Sequence, residues 1–179
     1  RNLYRRLGLS AAHKLVVPSE RLEGIARGPW GQGDGQVERI GNGIPVEHYR
    51  KPAAADPIPG FARRPGEIVV GTVAGLRAVK NLPRLVRAFA AMKEKNARLI
   101  IVGEGPESEA IIAAARAAGV ADRVLLPGFL ADPASYIGLF DIFALSSDSE
   151  QFPISLVEAM AAGLPVVATA VGDVPEMVS

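Results

Sequence analysis

The chain has 179 residues, of which 49% are hydrophobic and 22% charged, and its formal net charge is +1. That length suits one domain able to bury a core, and so even a charge balance argues against nucleic acid as the main partner, for want of a basic excess to neutralise phosphates. The absence of cysteine excludes disulfides, thiolate metal sites and cysteine nucleophiles, and two histidines, His13 and His48, are too few for a His-rich metal centre.

Residues 1–10 do not read as a signal peptide, and no apolar run reaches the ~18 residues a membrane span needs, so the cytoplasm is the expected compartment. Arg1, Arg5 and Arg6 cluster at the start and read as a solvated helix face. A strand is predicted at 14–17 and a helix at 19–26, then a glycine-rich loop at 28–35 (GPWGQGDG) and a strand at 37–40. Asn42 and Gly43 both tolerate positive φ, which predicts a turn. Repeated proline and glycine make 52–65 another loop, but strand-like sequence resumes after each loop and neither marks a domain boundary. A third strand follows at 68–73. In 82–92 the residues Leu82, Leu85, Val86, Phe89 and Met92 recur at three- and four-residue spacing, the single buried stripe of a helix. Next come a strand at 99–102, a tight turn at Gly103-Glu104-Gly105-Pro106, a helix at 107–118, a strand at 124–126, a helix at 133–140 and a strand at 142–145. A helix at 154–162 and a strand at 165–168 complete the pattern. His13, Trp30 and His48 have nothing around them that suggests chemistry and read as structural. The chain opens on Arg1 and stops inside a helical-looking segment at Ser179, so a fragment is expected.

Strands alternating with helices imply an α/β domain with a mostly parallel sheet. Most of these strands lack polar alternation, as happens when helices cover both faces. Open sheets of this kind bind ligands at the carboxyl ends of their strands, so function is expected in the loops after Val73, Val102, Leu126 and Leu145. The most informative stretch reads SEQFPISLVEAMAAGLP over 149–165. It follows a strand and opens a helix, with Pro153 expected in the first turn, a favoured place for proline. Such a helix start presents unpaired backbone N–H groups and a positive dipole end, which suit a phosphate or a sugar hydroxyl. Glu150 precedes the helix and Glu158 lies roughly one turn inside it, so each carboxylate can accept hydrogen bonds from a polyol. Two readings of these glutamates stay open, because Glu150 can serve only the helix dipole and Glu158 can be a solvated helical residue. The apolar neighbours of Glu158 in ISLVEAMAAG favour a functional or paired charge.

The run S-x-x-E-x-F-P-x-x-x-x-E-A-M-A-x-G-x-P-V-V, from Ser147 to Val167, resembles the donor-site signature of the retaining group 1 (family 4) glycosyltransferases, a large group that includes many sugar transferases of bacterial polysaccharide and glycolipid assembly. Further segments match that family in order: PSE at 18–20, GNGIP at 41–45, VGTVAGLRAVKN at 70–81, VGEGPE at 102–107, LPGF at 126–129 and AVGDVPE at 170–176. The resemblance covers nearly the whole chain. It implies the C-terminal half of a GT-B fold, so that 1–179 is expected to be a single nucleotide-sugar-binding, Rossmann-like three-layer domain lacking its N-terminal acceptor-binding partner domain.

By the same resemblance, Glu158 binds the ribose hydroxyls of the donor and Glu150 contacts hydroxyls of the transferred sugar. Backbone N–H groups of Phe152 and Ile154 help hold sugar and phosphates, whereas Pro153 between them has no N–H to give. Gln151 stands where the family usually has glycine, and its side chain either narrows the sugar pocket or adds an amide contact. Arg77 and Lys80, three apart in the loop after the 68–73 strand, stabilise the departing diphosphate; in many relatives the arginine falls one or two positions earlier. Gly103 and Gly105 shape the base pocket, and Gly128, between Pro127 and Phe129, sets backbone groups beside the nucleobase; Phe129 itself reads equally well as core. No DxD-like metal motif is evident, so neither metal nor cofactor is expected, only a UDP- or GDP-linked sugar as substrate. The acceptor is a sugar or lipid-linked sugar held by the absent domain, where any membrane contact of the full-length protein also belongs, and the chain alone is expected to bind donor weakly and to turn over little. Rival readings are a sugar-nucleotide epimerase of GT-B architecture, a non-catalytic nucleotide-sugar-binding module, and a glycogen- or sucrose-type synthase.

Overall fold

The computed structural model describes residues 2–51, 53 and 56–178, along which strands alternate with helices, most of them where the periodicities predict. Arg1, Pro52 and Ser179, named above, lie outside the described residues. The chain divides into two compact units: Arg1–Gly43, Ser149–Pro153 and Ala170–Ser179 make the first, Ile44–Asp148 and Ile154–Thr169 the second. Among the described residues no helix is long and apolar enough to cross a membrane.

In the first unit, α1 (Asn2–Leu9) buries none of its residues, in keeping with the solvated basic face of its sequence. Strand β1 (Leu15–Val17) pairs in parallel with β2 (Val37–Arg39), Leu15 opposite Val37, and α2 (Glu20–Arg27) connects them. Val17, Ala26 and Val37 form a small core with Leu22 and Trp30 against it. Helix α2 starts where it does because Ser19 is an extended N-cap whose hydroxyl accepts from the Leu22 N–H at 3.1 Å. Asp173, just before the short final helix Val174–Met177, accepts from the N–H groups of Glu20 at 2.6 Å and Arg21 at 3.2 Å. Three donors that the helix cannot satisfy internally thus find acceptors.

The second unit holds α3 (Val46–Tyr49), β3 (Ile68–Val73), α4 (Leu82–Ala90), β4 (Ala97–Val102), α5 (Ser108–Ala117), β5 (Val124–Gly128), β6 (Ile142–Leu145), α6 (Ile154–Ala161) and β7 (Val166–Ala168). Its five strands form one parallel sheet in the order β5-β4-β3-β6-β7. The predicted stripe is realised: Leu82, Leu85, Val86 and Phe89 are buried on α4 and pack with Val70, Leu99 and Ile101 of the sheet and with Ile111 of α5. Edge strand β5 shifts register against β4 between Ile100 and Val102. Pro127 lies on the β5 side of that shift, and a residue with no N–H fits only at an edge or an irregularity.

Three predicted details are corrected. The segment 133–140 is not an α-helix but two 3-10 turns, Pro133–Ser135 and Ile137–Leu139. Tyr136 between them sits at φ −133 and ψ −20, off the helical backbone, and the Ser135 hydroxyl donates back to the Asp132 carbonyl at 2.6 Å. Asn42 and Gly43 do not take positive φ. Residues 40–45 form neither a turn nor a bend, and Pro45 biases Ile44 before it toward extended backbone. Pro153 immediately precedes α6 rather than occupying its first turn.

Candidate functional site

In the sheet of the second unit the strand order reverses between β3 and β6, so the crevice for a ligand belongs at the carboxyl ends of these strands and their neighbours. Backbone hydrogen bonds stitch the loops there together. The Ala74 N–H donates to Val102 O at 3.0 Å, Leu76 N–H to Glu104 O at 2.9 Å, Glu107 N–H to Leu76 O at 3.0 Å, and Gly103 N–H to Gly128 O at 2.8 Å. Gly103 and Gly105 adopt φ of 141° and 153°, and a Cβ on either would overlap the carbonyl oxygen of Ala74 or Leu76. The two glycines are therefore what lets the loops after β3 and β4 touch. A pocket of about 270 Å³ opens beside them, lined by Val73, Gly75, Gly103, Glu104, Phe129 and Pro133 among others. Phe129 is 65% exposed at this pocket and is not core.

Arg77 and Lys80 sit on the loop after β3, around the 3-10 turn Ala78–Lys80, which ends at Asn81 in the left-handed region (φ 44). Arg77 is exposed and Lys80 half-buried. Residues just after β6 hold this turn. The Asp148 N–H donates to Val79 O at 2.8 Å, and the Ser146 hydroxyl donates to the carbonyls of Lys80 at 2.9 Å and Asn81 at 3.2 Å. Asn81 Nδ2 donates to both oxygens of Asp148 at 3.1 Å, and Arg84 pairs with the same carboxylate. These partners, Asn81 foremost and then Arg84, hold the Asp148 carboxyl below the usual range. Sequence reading missed Ser146, Asp148 and Arg84 in this role, because their partners lie more than sixty residues away in the chain.

Glu158 lies one turn into α6 and is half-buried. Its Oε1 accepts from the Tyr49 hydroxyl at 2.7 Å. Tyr49 is 9% exposed on α3, which packs on α6, and Tyr136, 1% exposed between the two 3-10 turns, lies in the same neighbourhood. Burial first, and then the Glu158 carboxylate, push both phenols up. Glu158 is thus a half-buried carboxylate with a hydrogen-bond partner rather than a fully solvated helical residue. The pairing was invisible in sequence because 109 residues separate the partners.

Glu150, Gln151, Phe152 and Pro153 fall in the first unit, and Ile154 in the second. Glu150 is half-buried, and Gly172 (φ 58) fits against its carbonyl where a Cβ would overlap that oxygen. Gln151 is exposed and borders a first-unit pocket of about 510 Å³ with Arg5, Leu22 and Trp30. Gly41 meets the Phe152 ring, at 3.5 Å from where a Cβ would stand. Among the described residues no three His, Asp or Glu side chains gather into a group that could hold a metal ion.

Residues 58–179 match the family model for glycosyl transferases group 1. The chain is 36% identical over 107 residues to N-acetyl-alpha-D-glucosaminyl L-malate synthase of Bacillus anthracis, over 59% of this chain and 28% of that protein. It is 37% identical over 125 residues to D-inositol 3-phosphate glycosyltransferase of Segniliparus rotundus, over 64% of this chain and 27% of that protein. Among solved structures, Anabaena HepE in complex with UDP superposes with a TM-score of 0.81 at 26% identity, over 99% of this chain and 49% of that one. The chain spans less than half the length of each of these relatives.

Proposed function

Because the chain belongs to the glycosyl transferases group 1 family and has the Rossmann-like fold of the C-terminal half of a GT-B protein, we propose that it binds the nucleoside diphosphate sugar of a retaining glycosyltransferase in polysaccharide or glycolipid assembly. The observation that supports this best is the cation-bearing turn at the reversal of strand order, fastened from the end of β6 by Ser146 and Asp148. Charges held in place before a reaction stabilise a developing negative charge without reorganising, which is what a departing diphosphate requires. In this reading Arg77 and Lys80 take the diphosphate, Glu158 accepts from the ribose hydroxyls, and the pocket beside Gly103 and Gly105 receives the base with Gly128 nearby. Glu150 accepts from the transferred sugar, Gln151 limits which sugar enters, and backbone N–H groups of Phe152 and Ile154, on either side of Pro153, assist. No metal takes part, the acceptor is a sugar or lipid-linked sugar bound by a further domain, and the protein works in the cytoplasm. Similarity to a protein solved with UDP supports a uridine donor over a guanosine one.

Calorimetric titration of the chain with UDP, GDP and ADP tests the reading. One nucleotide is expected to bind, and Lys80→Ala and Glu158→Ala are each expected to weaken it by about tenfold, the loss of one charge-assisted hydrogen bond. Binding that neither variant alters would remove these residues from the site.

A further inference from the structure

The Tyr49–Glu158 hydrogen bond joins the residue assigned to the donor ribose to a side chain that no part of that assignment uses. We propose that Tyr49 is a positioning residue for the donor: its hydroxyl pins one oxygen of Glu158 and thereby aims the other at the ribose diol. The inference rests on the reading of Glu158 given above.

The geometry supports it in three ways. At 2.7 Å the phenol donates to Oε1 alone, and a carboxylate offers about four acceptor positions, so Oε2 and a lone pair of Oε1 stay available to a diol. Tyr49 is itself held, being 9% exposed on a helix that packs against α6 and against the Pro133–Ser135 turn, so it fixes Glu158 rather than following it. A glutamate on a surface helix otherwise samples several rotamers and must lose that freedom on binding, and a bond already formed removes part of that cost.

The test compares two ligands on the full 179-residue chain: UDP or GDP, whichever binds more tightly, and the matching 2′,3′-dideoxynucleoside diphosphate. The wild type should prefer the ribose form, and Glu158→Gln should lose most of that preference. Tyr49→Phe should weaken the ribose form by about 5- to 10-fold, the worth of one hydrogen bond, and leave the dideoxy form unchanged. Tyr136→Phe, which trims a neighbouring buried phenol, should alter neither, and Tyr49→Leu, with its melting temperature measured, stands in if Tyr49→Phe fails to fold. A wild type that binds neither form, or both equally, overturns the Glu158 reading and this inference with it. A wild-type preference that Tyr49→Phe leaves intact, or losses that are equal for both ligands or reproduced by Tyr136→Phe, overturns the inference while leaving the Glu158 reading in place.

Discussion

At Gly103 and at Gly172 the backbone takes a left-handed φ and approaches another carbonyl so closely that a Cβ would overlap it, Ala74 in one case and Glu150 in the other. Gly119 also has a positive φ (68°), with open space around it. The difference sets a prediction. Gly119→Ala should cost about 1 kcal/mol for the backbone conformation alone, whereas Gly103→Ala should cost about 3 kcal/mol through added overlap, both read from urea unfolding midpoints. Asp148 predicts a pH effect. Its folded carboxyl is held low by Asn81 and Arg84, so it binds a proton less readily folded than unfolded. The stability it adds is therefore fully present above the ordinary carboxylate range and is lost as the pH falls through its lowered folded value. In Asp148→Asn the acid limb of the stability curve should be shallower than in the wild type. A limb of equal slope would show that other carboxylates carry it.

Helix α2 has two separate N-terminal acceptors, and they serve different amides: Ser19 takes Leu22, and Asp173 takes Glu20 and Arg21. Ser19→Ala should cost about 1 kcal/mol and Asp173→Ala about 1–2 kcal/mol, the latter also removing a negative charge from the positive end of the helix dipole. Hydrogen exchange should separate them, with Leu22 alone accelerated in the first variant and Glu20 and Arg21 in the second. Both residues stand in segments read from the sequence as family matches, PSE and AVGDVPE, yet the bond between those segments was not legible there. Element identity was easier. The stripe on α4 repeats at helical spacing, and the strand at 68–73 is a run of apolar residues buried from both sides. The segment 133–140 misled because its apolar spacing is helical while its bonding is local: Ser135 turns back to Asp132, and Tyr136 leaves the helical region.

Across the whole chain the apolar burial is unequal. The first unit has Val17, Ala26 and Val37 at its centre, while the second gathers residues of β3, β4, α4 and α5 into one larger core. Opening free energy follows buried apolar area, so amides of β1 and β2 should exchange through lower-energy openings than those of β3 and β4. Native-state hydrogen exchange at low denaturant measures this, and equal values in both sets would mean that the chain opens as one cooperative body.

Local chemistry carries far in this protein. Residue type and spacing were enough for the α/β class, most of the order of strands and helices, the tight turn after β4, and the segments in which ligand-binding residues were sought. These depend on interactions within a turn or along a strand, where chain neighbours are also neighbours in space. Pairings between distant segments were decided only by the tertiary structure: the strand order that reverses beside β3, the hold of Ser146 and Asp148 on the Lys80 turn, the cap from Asp173, and Tyr49 on Glu158. One sequence specifies those contacts as well, but through packing of elements tens of residues apart, and no short-range pattern of side chains records which of them will meet.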